Sequence, residues 1–160
     1  MSAHTQFRAG QVVGGSSGSG GTSSSGSSGS ASEVDTAAYA REVIRLTNAE
    51  RVKAGLDELY VVEEMMSAAL LRAQEYSEDT SKAHRRPDGT TGPDLAATFS
   101  PTNSGTENLA AGQNSPSAVI STWKGSPAHN AAMMAPDAIG IAVGCYEKNG
   151  RLHWCQLFIY

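Results

Sequence analysis

The chain has 160 residues, 39% of them hydrophobic, and a net charge of −4. It lacks the basic stripe of a nucleic-acid binder and the polybasic run that anionic membranes attract. No apolar run approaches the roughly 20 residues of a transmembrane helix, the N-terminus has no apolar signal-peptide core, and the length allows one domain.

Residues 1–13 read as an N-terminal tail or remnant outside the fold. Residues 14–34 are dominated by Gly and Ser. Such a segment buries too little apolar surface to offset its ordering entropy, so a flexible linker is expected. The Gly14-Gly15-Ser16-Ser17-Gly18 run matches the hydrolase nucleophile pattern, but it has no strand-to-helix context and is set aside. The domain is then residues 35–160.

The first helix begins near Asp35 or Thr36. Ala40, Val43, Ile44 and Thr47 form its apolar face. Gly55 supplies the stop and Leu56 folds back on the last turn; Glu50 and Arg51 are expected in solvent. A second helix covers residues 62–78, burying Met65, Ala69, Ala73 and Tyr76. His84 follows at a helix-to-loop exit, before the turn chemistry of Pro87 and Asp88-Gly89. Residues 90–105 are rich in Thr, Pro, Ser, Asn and Gly and read as an irregular surface loop.

Residues 107–111 form a short buried strand or turn. Ser115-Pro116 and Ser126-Pro127 are two helix starts, with the serine as cap and proline in the first turn. Val119, Ile120 and Trp123 face the core, and the second of these helices ends near Met134, before Pro136. Residues 139–146 and 152–159 are strands around Asn149-Gly150. Their near-continuous apolar character predicts a central hairpin covered on both faces. The expected class is α+β or a three-layer arrangement.

Cys145 and Cys155 flank that turn. A two-residue turn sets Cys145 opposite Trp154, so a disulfide requires a bulge or a longer loop. A disulfide and two free, partly buried thiols stand as equal alternatives.

His84, Glu107 and His129 are the candidate chemical residues. Imidazole ligates metal or moves protons near neutrality, and a carboxylate orients imidazole, ligates metal or acts as base. Their spacing matches no local zinc template. Ser126 reads as a helix cap rather than a nucleophile, and His153, on a strand, as structural or exposed. Asp88, Asp94 and Asp137 lack calcium-loop spacing, and there is no phosphate-binding loop.

Several words of the sequence occur together in one order. They are Asn48-Ala49-Glu50-Arg51 with Ala54-Gly55-Leu56, and His84 with Arg86-Pro87-Asp88-Gly89. Glu107-Asn108-Leu109-Ala110-Ala111-Gly112, Trp123 with Ser126-Pro127-Ala128-His129, and Ile139-Gly140-Ile141-Ala142 follow. From Tyr39 to Tyr160 the chain resembles the bacterial branch of the CAP superfamily, the SCP or pathogenesis-related-1-like domains. The resemblance implies an α-β-α sandwich with a mostly antiparallel sheet and a His/Glu-lined cleft. His84, His129 and Glu107 match the cleft residues, while Ser126 stands where eukaryotic members have a second glutamate. Ala128 and Thr106 replace glycines usual before His129 and Glu107, and only the hairpin cysteine pair remains of the eukaryotic disulfide set.

The resemblance implies a secreted or cell-surface protein, monomeric, that binds lipid or sterol, an envelope component or a protein ligand. A cleft holding zinc or another divalent cation weakly through His84 and His129 is expected with it. The alternative is a metal-assisted hydrolase or peptidase using His84, Glu107 and His129. Two histidines fall short of the three protein ligands usual for catalytic zinc, which favours binding.

Overall fold

The computed structural model describes residues 33–160; the expected tail and most of the expected linker lie outside the described residues. The last linker position, Val34, packs against the core. Asp35 then caps α1 (Thr36–Lys53), its carboxylate accepting from Ala38 N at 2.9 Å. The apolar face of α1 is as the periodicity requires, with Ala40, Val43, Ile44 and Thr47 buried.

Arg51 departs from expectation. It is fully buried rather than solvated. Its guanidinium donates to the carbonyls of Asp57, Met133 and Ala135 at 2.8–2.9 Å, so it ties the end of α1 to a segment over 80 residues away. Asn48 makes a second clamp, exchanging two hydrogen bonds with the Leu59 backbone. This places β1 (Tyr60–Val61), which was absent from the expected elements because two residues carry no periodicity.

A 3-10 turn, Glu63–Met65, leads into α2 (Met66–Glu78). Ala68, Ala69 and Ala73 are buried as expected, Tyr76 is half-buried, and Arg72 shares the buried face at 1% exposure. The expected loop over residues 90–105 contains α3 (Gly92–Ala97). Thr91 and Asp94 form a capping box and Pro93 sits in the first turn. Next come β2 (Gly105–Ala111), α4 (Pro116–Lys124) and α5 (Pro127–Met133). The hairpin β3 (Gly140–Lys148) and β4 (Arg151–Ile159) closes the chain.

The four strands form one mixed sheet in the order β1-β3-β4-β2. β3–β4 and β4–β2 are antiparallel, whereas β1 runs parallel to β3. Alternation along the strands divides the core. Ile141, Val143, Leu152, Trp154 and Phe158 pack with α1, α4 and α5, while Ala142, Leu157 and Ile159 pack with α2 and α3. Gly144 lets α2 lie directly on the sheet, since a Cβ there would come within 2.2 Å of the Ala69 carbonyl oxygen.

The same alternation settles the cysteines. Lys148 pairs with Arg151 across the two-residue turn, so Cys145 opposes Trp154 and Gly144 opposes Cys155. The thiols therefore belong to opposite core layers and both are free. His153 is buried, not exposed; it packs edge-on to Tyr76, and its Nδ1 has no hydrogen-bond partner.

Candidate functional site

The site is built around the edge strand β2, whose successive residues Glu107 and Asn108 face opposite layers. Glu107 opposes Leu157 and looks towards α2 and α3, whereas Asn108 opposes Gln156 and looks towards α1 and α5.

On the Glu107 side the carboxylate is buried, with 0% side-chain exposure, and closely held. Arg72 donates from Nε to Oε2 at 2.7 Å and from Nη2 to Oε1 at 3.1 Å. His84 Nδ1 lies 2.9 Å from Oε1, and the Cys155 thiol donates to Oε2 at 3.6 Å. Two groups meet each oxygen, so the carboxylate has no free face. Gly92 closes over it from α3: a Cβ there would fall 1.8–2.3 Å from the carboxylate atoms.

His84 reaches this carboxylate from a strained turn. The Arg85 N–H bonds to the Lys82 carbonyl, and Ala83 has φ 42° and ψ −117°. Those angles fit the first central position of a type II′ turn, where glycine is usual. Arg72 also donates to the Ala83 carbonyl at 3.2 Å, which holds the turn. Beyond it, Arg86 makes two bonds to Glu75 at 3.0–3.1 Å, and Glu75 accepts from Arg72 at 2.9 Å. The ring of His84 remains 51% exposed.

On the Asn108 side, Nδ2 donates to the His129 carbonyl at 3.0 Å and to Gln156 Oε1 at 3.1 Å. Gln156 continues the chain to Thr47 Oγ1 at 2.8 Å, and Thr47 donates to the Val43 carbonyl. This buried network fixes the α5 backbone at His129. The His129 ring is half-buried, and its Nδ1 has no hydrogen-bond partner. Ser126 begins α5, but its hydroxyl makes no capping bond, contrary to the expected cap.

The environments push the two histidines apart. The Glu107 hydrogen bond raises the His84 pKa, against opposition from burial and Arg72. Burial, then the charge of His84, lowers that of His129. The structure thus brings His84 to Glu107, whereas His129 is tied to the site through its backbone carbonyl and Asn108. Burial and Glu107 push the Cys155 thiol far above its usual value, which makes it an inert donor.

Arg72 is the site residue the sequence did not disclose. Its partner Glu107 lies 35 positions away, and a charged residue among helical alanines reads as solvated. Among the described residues no group of three His, Cys, Asp or Glu side chains converges as a metal-holding set.

Fold and site together define an α/β domain with two histidines served from one sheet edge. The sequence model of the cysteine-rich secretory protein (CAP) family matches residues 44–158, and the chain belongs to that family. It is 32% identical over 124 residues to the uncharacterised protein YkwD of Bacillus subtilis, covering 77% of this chain and 48% of that protein. The chain thus spans about half the length of the curated relative it matches.

Solved structures share the fold. An extracellular SCP-domain protein of Bacillus anthracis superposes with a TM-score of 0.68 at 21% identity, over 78% of this chain and 41% of that one. An outer surface protein of Borrelia burgdorferi gives 0.65 at 22% identity, over 78% and 94%.

Proposed function

We propose that this domain is a binding module that works outside the cell or at its surface. Its cleft, at His84 and His129, engages a lipid or sterol, an envelope component or a protein. The observation that carries the binding reading is the closure of Glu107: buried, and met by Arg72, His84 and Cys155, it has no lone pair left to deprotonate water. Ser126, in place of a second acid, supplies no base. The extracellular and outer-surface descriptions of the structural neighbours support the location.

A weak divalent site would have to draw on two imidazole nitrogens, that of His129 being buried. Nε2 of His84 lies outside the Glu107 network, and His129 Nδ1 is unpartnered. Two imidazole nitrogens give fewer protein ligands than the three of a catalytic zinc. Zn²⁺ titrated into the wild type is expected to bind saturably, and a His84→Ala/His129→Ala variant to lose that binding. Equal, negligible binding by both removes the metal from the proposal. Recovery of the domain from native medium, with identification of what co-purifies, tests the ligand class.

The alternative is a metal-assisted hydrolase. What favours it is the opposite displacement of the two histidine pKa values, a pattern typical of an acid and base pair. It requires turnover on a panel of peptides and esters that is lost in Glu107→Ala. A wild type inert across the panel ends that reading.

A further inference from the structure

The sheet has a second edge, opposite the one that carries Glu107, and it is incomplete. β1 is two residues long and pairs only with Gly140 and Ile141 of β3. The Tyr60 and Val62 N–H groups donate to the Ile139 and Ile141 carbonyls at 3.1 and 3.0 Å. Odd-numbered residues of β3 therefore turn their main-chain groups to this edge, and even-numbered ones bond to β4. The chain then leaves the edge for the 3-10 turn at Glu63. The N–H and C=O groups of Val143 and Cys145 point past the end of β1 and meet no partner among the described residues. Both residues are buried, at 1% and 2% exposure, and buried main-chain groups are rarely left unpaired.

Val143 and Cys145 form the floor of a cleft of about 250 Å³. α1 supplies one wall through Ala37 and Ala40, and α2 the other through Met66 and Leu70. The walls are apolar, and Leu70 stands 45% exposed on one of them. We propose that this cleft receives an extended, apolar segment of another polypeptide, which continues the line of β1 as an added strand on β3.

The floor selects the occupant. Two donors and two acceptors, repeating at roughly 6–7 Å, match the main chain of an extended peptide. An acyl chain fits the walls but leaves all four groups unpaired. A second copy of the domain would bring its own helices with its β3 edge, and the walls of the two clefts would hold the edges apart. A single strand has no such walls. Its side chains alternate, so one meets Ala37 and Ala40 while the next meets Met66 and Leu70. The added strand lies two strands away from β2, so the proposal is independent of what the His84 side binds.

The test is ¹H–¹⁵N NMR on the full chain. In the free protein the Val143 and Cys145 amides are expected to exchange hydrogen faster, after correction for sequence, than those of Ala142 and Gly144, which bond to β4. The probe is a capped peptide of alternating valine and alanine between two lysines. It is expected to shift the Val143 and Cys145 amides saturably. Ala37→Arg, which fills the cleft from an exposed position, is expected to abolish the shift; Ala38→Arg, exposed on the same helix but outside the cleft, is expected to keep it. Of two peptides N-methylated at either the valines or the alanines, one is expected to bind at least about tenfold more weakly and the other to bind as before. Decanoate is expected to leave both amides in place.

The proposal is overturned if Val143 and Cys145 are as protected as their neighbours in the free protein, if the peptide shifts neither amide, or if both methylated peptides bind as tightly as the parent. Decanoate shifting these amides as strongly as the peptide also overturns it and assigns the cleft to an acyl chain. The exchange, methylation and decanoate measurements use the wild type, so they decide even if Ala37→Arg does not fold.

Discussion

Gly92→Ala sets two physical expectations against each other. Gly92 is the first residue of α3, and its backbone is outside the left-handed region. Helix propensity alone predicts that alanine stabilises such a position by up to about 1 kcal/mol. The added Cβ, however, would come 1.8 Å from Glu107 Oε2 and 2.3 Å from Oε1. The carboxylate has nowhere to retreat, because Arg72, His84 and Cys155 hold it from the other sides. Overpacking costs about 1–3 kcal/mol, and loosening a buried ion pair adds to it. A net loss of about 3 kcal/mol follows.

With about 2.1 cal/mol/K of unfolding entropy per residue, a domain of this length loses roughly 11 °C in Tm. Thermal and urea unfolding of Gly92→Ala beside Gly125→Ala measure it. Gly125 is the right control, since a Cβ there meets only ordinary contacts at 3.5–3.6 Å. A Gly92→Ala protein as stable as the wild type would refute the claim that Gly92 backs Glu107.

Arg51→Met leaves the carbonyls of Asp57, Met133 and Ala135 without their donor and is expected to cost roughly 3 kcal/mol in urea unfolding; a loss under about 1 kcal/mol contradicts the clamp. His153 is held below its usual pKa by burial, then by Arg151 and Lys148. Its neutral form therefore stabilises the fold above the usual histidine value of 6.5, and that contribution is lost as pH falls below it. His153→Phe is expected to flatten this acid limb in unfolding curves taken across pH; an unchanged limb refutes the assignment. Burial pushes the Cys145 thiol up to about 12 and Cys155 far above its usual value. A thiol reagent is expected to label neither cysteine in the native protein and both after unfolding; a native disulfide would leave both blocked.

The sequence discloses elements more readily than partners. The face of α1, the hairpin and the Ser115-Pro116 start of α4 follow local patterns, and each is where its pattern puts it. α3 escaped because glycine, proline and threonine dominate residues 90–105, although Thr91 and Asp94 hold the spacing of a capping box. Arg51 and Arg72 escaped for another reason. Helical periodicity assigns charged residues to water, and only tertiary contacts show that carbonyls await one and a carboxylate the other. His84, Glu107 and His129 were singled out through the family words around them, and the contact of the first two is in the structure, but the closed state of Glu107 was not foreseen. It depends on α2, α3 and β4 arriving at one carboxylate.

The two neighbouring polar residues of β2 also guard the alignment of the sheet. A slip of one position would turn the acid towards Gln156 and Thr47, and the amide towards Arg72. The guanidinium would then lose its buried partner and keep only Glu75 on its own helix, a greater penalty than a misplaced alanine on the same strand. This pair of polar residues thereby acts as a registration pin, and disrupting it is expected to loosen which β2 residue meets which β4 residue during refolding.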